Sequence, residues 1–217
     1  MRTCVLALMA VALATPLAAQ DHSMHTAPPA APGALPDGWQ VRLDRANASM
    51  ESVKFVRVGE GYHATLGPSA IFYDPAHRAA GEYTAGAAFT QTRAAQHPEG
   101  YGIIVGGRDL DGANQEYLYF LVRQDGQFLI KQRVGGETHT IHDWTEHAAI
   151  TKLGGDGTAT NALAVEAGAQ HTRFLVNGVE VAAVGNAKLD TAGIAGLRIN
   201  HGLDVHVGDF RIQRASR

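Results

Sequence analysis

The chain has 217 residues, with 18 Lys and Arg against 21 Asp and Glu and a formal net charge of −3. Scattered cations, no basic stripe and no interleaved aromatics speak against a nucleic-acid partner. The one cysteine, Cys4, excludes a disulfide framework, and because it lies in the apolar N-terminal stretch read below as an export signal, the mature chain is expected to lack a thiol nucleophile.

Residues 1–19 read as an export signal. Arg2 supplies the positive start, Cys4 to Leu13 the apolar core, Pro16 the break, and Leu17-Ala18-Ala19 the approach to a cut ahead of Gln20. The apolar run is short for a bilayer span. No later segment is more apolar, so no membrane insertion is expected after signal removal, and the mature protein is expected in the periplasm or outside the cell. Residues 20–38 hold Pro28, Pro29, Pro32 and Pro36 among Ala, Gly, Ser and His, a composition that buries little and predicts a disordered leader. Trp39 is the first large apolar residue after it, and residues 39–217 are assigned to one domain.

From Trp39 onward strand patterns dominate. Trp39–Asp44 alternates apolar and polar residues, and Val53–Val58 and Tyr62–Leu66 flank a Gly-Glu-Gly connection. Ala70–Tyr73 and Glu82–Thr92 follow. Next come Tyr101–Gly106, Glu116–Arg123 and Gly126–Arg133, then Glu137–Ile141, Asn161–Ala167, Thr172–Val176, Val179–Val184, Gly193–Asn200 and Leu203–Gln213. Asn177-Gly178 is the sharpest turn signal, because a two-residue hairpin loop needs positive φ at both positions. Asp74–Ala80 and Thr145–Ile150 are each read as a turn of helix. The intervals between strands are too short for the crossovers of a parallel sheet. The pattern therefore predicts an all-β, antiparallel sandwich.

The order of Tyr101-Gly102-Ile103, an acidic turn from Asp109 to Asn114, Tyr117 with Tyr119-Phe120, and Phe128-Leu129-Ile130 resembles the concanavalin A-like (laminin-G-like) sandwich, in a bacterial exported branch. Asp143-Trp144, the Phe174–Gly178 hairpin, Gly193–Leu197 and Asp209–Ile212 extend the resemblance over Trp39 to Arg214. It implies a two-sheet jelly roll. That fold class includes sugar-binding lectins and glycan hydrolases, so it leaves function open. The Glu-x-Asp-x-x-Glu strand of laminarinase-like members is absent, as is the full calcium and manganese ligand set of legume lectins.

Several residue groups carry candidate chemistry. A cut after Ala19 would put His22 third, and a free amine, two amides and an imidazole suit the square plane of Cu(II); Met24 and His25 add ligands. Cyclisation of Gln20 or a shifted cut would abolish that copper site, and the bland alternative is a polar leader. Asp109, Asp111 and Asn114 offer oxygens to a hard cation such as calcium, though Asp, Asn and Gly are equally what a chain reversal favours. His139, His142, Asp143, Glu146 and His147 hold zinc-type ligands, but strand alternation sets His139 and His142 on opposite faces, as it does His201 and His206.

Tyr117 and Tyr119 share one strand face, and with Arg108 and Asn114 they form the candidate ligand surface if that face points outward; Trp144 and Phe120 are read as interior packing. The preferred function is an exported, non-catalytic binding module for a carbohydrate or other cell-envelope ligand. The alternatives are a glycan hydrolase using Asp109, Asp111, Glu116 or Asp143, and a structural periplasmic protein with a copper-binding N-terminus.

Overall fold

The computed structural model describes residues 34–215. Fourteen strands form there: β1 (Gln40–Leu43), β2 (Val53–Val58), β3 (Gly61–Leu66), β4 (Ala70–Ala79), β5 (Tyr83–Gln91), β6 (Gly100–Arg108), β7 (Glu116–Arg123), β8 (Gln127–Val134), β9 (Glu137–Glu146), β10 (Ala159–Ala167), β11 (His171–Val176), β12 (Val179–Gly185), β13 (Gly193–Ile199) and β14 (Asp204–Arg214). They make two antiparallel seven-stranded sheets. The first has the order β1-β4-β13-β6-β7-β8-β9, the second β12-β11-β10-β5-β14-β3-β2. The only helical elements among the described residues are two short 3-10 turns. The architecture is the antiparallel two-sheet jelly roll of concanavalin A-like type that the sequence predicts.

Alternation along each strand places the main core between the sheets. Phe72, Tyr101 and Phe120 from the first sheet meet Phe55, Phe89 and Phe174 from the second in one buried cluster. The Asn177-Gly178 hairpin forms as expected, with φ of 52° and 80° and Val176 opposite Val179. Asn177 also ties that turn to its neighbours: its Oδ1 accepts from the Ala162 amide at 2.8 Å and its Nδ2 donates to the Ala149 carbonyl at 2.8 Å.

Two segments depart from the sequence reading. Asp74–Ala79 is the second half of β4, not a helical turn. Pro75 is tolerated in it because β1 pairs only with Ala70–Tyr73, and the register with β13 is interrupted between Tyr73 and Arg78, so the missing N–H breaks no ladder bond there. Thr145 and Glu146 belong to a β9 that runs to Glu146, and only the following residues turn, with the Ile150 amide bonded to the His147 carbonyl.

A second cluster lies on the opposite side of the first sheet. Ile71, Tyr73, Ile104, Tyr117, Tyr119 and Leu121 pack together on its outer face, beneath Leu110 of the β6–β7 turn. That face is therefore partly closed by loops, and this decides which of its residues a ligand can reach.

Candidate functional site

Tyr117 and Tyr119 lie on the outer face of the first sheet, but they are only 2 % and 6 % exposed. The cover comes from two loops. On one side Arg42 of β1 donates from Nη1 to the carbonyls of Leu110 and Gly112, at 3.1 and 2.7 Å, and pins the 109–114 turn. On the other, Asp44 follows β1 and accepts both terminal nitrogens of Arg198, at 2.9 and 2.6 Å. Arg198 also donates to the Tyr117 hydroxyl at 3.2 Å, and its guanidinium carbon sits 5.0 Å from the Tyr119 ring centroid.

This is a filled polar and aromatic layer. Burial alone would push the Arg198 guanidinium down, but the Asp44 bond and charge outweigh it and hold it above the usual arginine value. Burial pushes the Tyr119 hydroxyl up. It does the same to Tyr73, where the Asp111 carboxylate adds to the effect.

Arg108 and Asn114 are not joined to the tyrosines in one open surface. Arg108 ends β6 and is held by Asp190 at 2.6 Å and Glu116 at 3.4 Å. The bond to Asp190 raises the Arg108 pKa and lowers that of Asp190. Asn114 is exposed on the turn, where its amide donates to the Asp109 carboxylate at 2.9 Å. Asp109 itself takes a left-handed φ of 46°, and its carbonyl accepts from Gly112. The Asp109 carboxylate is thus occupied in closing the chain reversal.

The other sequence candidates are dispersed. Glu116 is paired with Arg108, and the Asp143 carboxylate accepts from the Trp144 amide at 2.8 Å. A register shift in β9 corrects the expectation for its histidines. His142 lies opposite Ile130 and His139 opposite Gln132, both on the side that faces the core, because Ile141 is extra in the ladder. His201 lies in the turn before β14, whereas His206 pairs with His63 across to β3. No group of three or more His, Cys, Asp or Glu side chains converges to hold a metal among the described residues. His22 and His25 lie outside the described residues.

An accessible surface exists along one rim of the same face. Trp144, assigned to the interior by the sequence reading, packs against the outer cluster and remains half-buried. The Arg123 guanidinium lies 4.5 Å from its ring centroid. Arg123 is oriented in turn by Asp125 and Gln127, each at 2.8 Å. Gly100 seats the indole: a Cβ there would meet Trp144 Cη2 at 3.0 Å.

From Gly100 the rim continues to Asn200, whose amide donates to the Gly100 carbonyl at 3.0 Å. Glu99 accepts from the Asn200 side chain at 3.3 Å and sits 3.2 Å from His201 Nε2. Asn200 Oδ1 is buried without a hydrogen-bond partner among the described residues. Beyond His201 opens a cleft of about 580 Å3, lined by Asp44, Arg45, Asn47, Ser69 and His201 among others. An indole, a guanidinium, amides and carboxylates thus follow one another along a single edge. These are groups that stack on the apolar face of a sugar ring and bond its hydroxyls.

No protein-family model matches the chain, and no curated protein matches it. Solved structures match in fold. The carbohydrate-binding module CBM66 from Bacillus subtilis superposes with a TM-score of 0.59 at 12% identity, over 81% of this chain and 95% of its own. The exoplasmic/lumenal domain of VIP36, in its Ca2+/Man3GlcNAc-bound form, gives 0.58 at 9% identity, over 83% and 85%. A Bacillus subtilis protein of unknown function with a galectin-like fold gives 0.56 at 10% identity, over 82% and 90%. At these identities the likeness establishes the fold.

Proposed function

We propose that this protein is an exported, non-catalytic carbohydrate-binding module whose contact surface is the rim running from Trp144 to the Asp44–His201 cleft. The observation that carries the reading is the half-buried Trp144, stacked on Arg123 and held by Gly100 on the rim that leads to a cleft lined by Arg45, Asn47, Ser69 and His201. An indole fixed in this way costs little further side-chain entropy when a sugar packs against its exposed part, and the flanking polar groups would set the orientation of that sugar. The fold is shared with a carbohydrate-binding module and with a domain solved with Man3GlcNAc, which supports the same reading. The signal pattern of Arg2 and Cys4–Leu13 supports export, and a cell-envelope or extracellular glycan is then the natural ligand.

The test is a glycan array probed with the mature protein, with hydrolysis products followed in the same samples. Retention of one or more glycans, lost in Trp144→Ala and unaccompanied by cleavage, is the expected result. No retention across the panel would overturn the glycan reading, and cleavage would overturn the non-catalytic one.

A further inference from the structure

At the other end of the sandwich both sheets have an uncovered edge. β1 pairs with β4 only through Ala70–Tyr73, and β3 pairs with β14 only through Asp204–Val207. Beyond those points a groove of about 470 Å3 lies between the second halves of β4 and β14, lined by His77, Arg78, Phe210, Arg211, Ile212 and Arg214 among others. A second groove of about 310 Å3 adjoins it and shares Arg78 and Arg214.

The charge in this region is one-sided. Three arginines line the first groove and no carboxylate does, in a chain whose net charge is negative. The acids nearby are engaged elsewhere or set aside. Asp190 and Glu116 hold Arg108, and Glu166 holds Arg173. The Asp74 carboxylate is turned to the Ala76 amide and to Gly38. Glu82 lines a neighbouring groove together with Arg214, and Asp209 another together with Arg211. None of Arg78, Arg211 and Arg214 is ion-paired among the described residues, whereas the other arginines near them are. Charged side chains do guard free strand edges. Guarding, however, does not require that Arg78 and Arg214 each line both adjoining grooves beside an apolar wall. That wall is Phe210, whose ring packs on Trp39 at 5.6 Å and on His77 at 5.3 Å.

We infer that this edge groove is a binding site for oxyanion groups, the phosphate or carboxylate substituents of an acidic ligand. Guanidinium forks match such groups in two-point geometry, and Phe210 and Ile212 offer apolar contact to the body that carries them. The site lies apart from the Trp144 rim and does not rest on the glycan reading.

Titration calorimetry of the whole mature protein at low salt tests this with inorganic tripolyphosphate, with tetragalacturonate and with neutral maltotetraose. The expected result is saturable binding of an anionic probe. Its affinity should fall about tenfold or more in Arg78→Ala/Arg214→Ala, the scale of a lost charge-assisted bond, and stay unchanged in the charge-matched control Lys54→Ala/Lys152→Ala. Binding of tetragalacturonate alone identifies a saccharide-borne carboxylate, and binding of tripolyphosphate alone a free phosphate. Binding of neither, or equal weakening by the control pair, would overturn the assignment. Trp144→Ala should leave anion binding intact, so failure of the glycan reading and failure of this one give different results.

Discussion

Arg198 and Asp44 stand 154 residues apart in sequence and meet in a two-point ion pair on the outer face of the first sheet. The guanidinium is buried, its Nε has no hydrogen-bond partner among the described residues, and Tyr117 and Tyr119 lie against it. Removing the carboxylate strands a buried charge. Asp44→Ala is expected to destabilise the fold by about 3 kcal/mol, as broken buried pairs do. Urea unfolding measures it, and a loss within the range of an ordinary surface substitution would show that solvent reaches Arg198.

Acid should withdraw the same support. Burial raises the Asp44 carboxyl, but the bond and charge of Arg198 outweigh it, leaving a folded-state pKa below the usual 3.8. Asp204 behaves alike: burial raises it, and the hydroxyls of Thr92 and Thr65 with the His63 and Arg93 charges pull it lower. A depressed folded-state pKa gives stability that is complete above the unfolded value and is lost as pH falls through the folded one. The stability difference between the native chain and Asp44→Asn should therefore be constant from pH 7 to 5 and shrink below about pH 4. Urea midpoints across that range read it directly, and an undiminished difference at pH 2 would contradict the assignment.

Trp144→Ala should weaken glycan retention about tenfold or more, the order of a lost stacking platform plus its cation–π partner. Arg123→Ala should act in the same direction through the indole it holds in place. Affinity electrophoresis against the glycans retained on the array measures both. Equal retention by native protein and Trp144→Ala would move the contact surface elsewhere.

Phe120→Ala tests the core between the sheets. The ring is fully buried and meets Phe174 at 5.3 Å and Phe128 at 6.3 Å between centroids. The cavity should cost about 3–5 kcal/mol, read as a lower urea midpoint with little change in slope.

Asn177→Gly separates backbone from side chain at the hairpin. Glycine keeps the left-handed φ without steric strain, so a loss beyond its added unfolded-state entropy reports the side-chain bonds to Ala162, Ala149 and Asn161. About 2–3 kcal/mol is expected for three such bonds, measured by thermal or urea unfolding. No loss would mean that water replaces them.

Most of the fold is readable residue by residue. The period-two runs from Val53 to Gln213 mark the strands, and Asn177-Gly178 marks its hairpin because only a few residues tolerate that backbone. Asp74–Ala80 reads as a helical turn in the sequence, yet Asp74–Ala79 is strand, because Pro75 is acceptable in a strand only where a neighbour leaves the ladder open, a fact about β1 and β13 and not about β4. The histidines of β9 depart from strand alternation for a similar reason. One extra residue at Ile141 turns His142 to the same side as His139, and nothing local announces it.

The candidate site shows the same division. Alternation puts Tyr117 and Tyr119 on a common face, and the sequence alone establishes that much, because side-chain direction along a strand is a property of the backbone. Whether that face is open was decided by distant residues: Arg42 draws the 109–114 turn over it, and Asp44 closes on Arg198. The rim at Trp144 and the arginine groove between β4 and β14 likewise exist only once strands far apart in the chain lie side by side. The sequence by itself determined the strands, their turns and the sandwich, which follow from local backbone preference and the need to bury one face. Only the tertiary structure decided which surfaces are covered and which charges lack partners, since both depend on contacts between segments that no local pattern encodes.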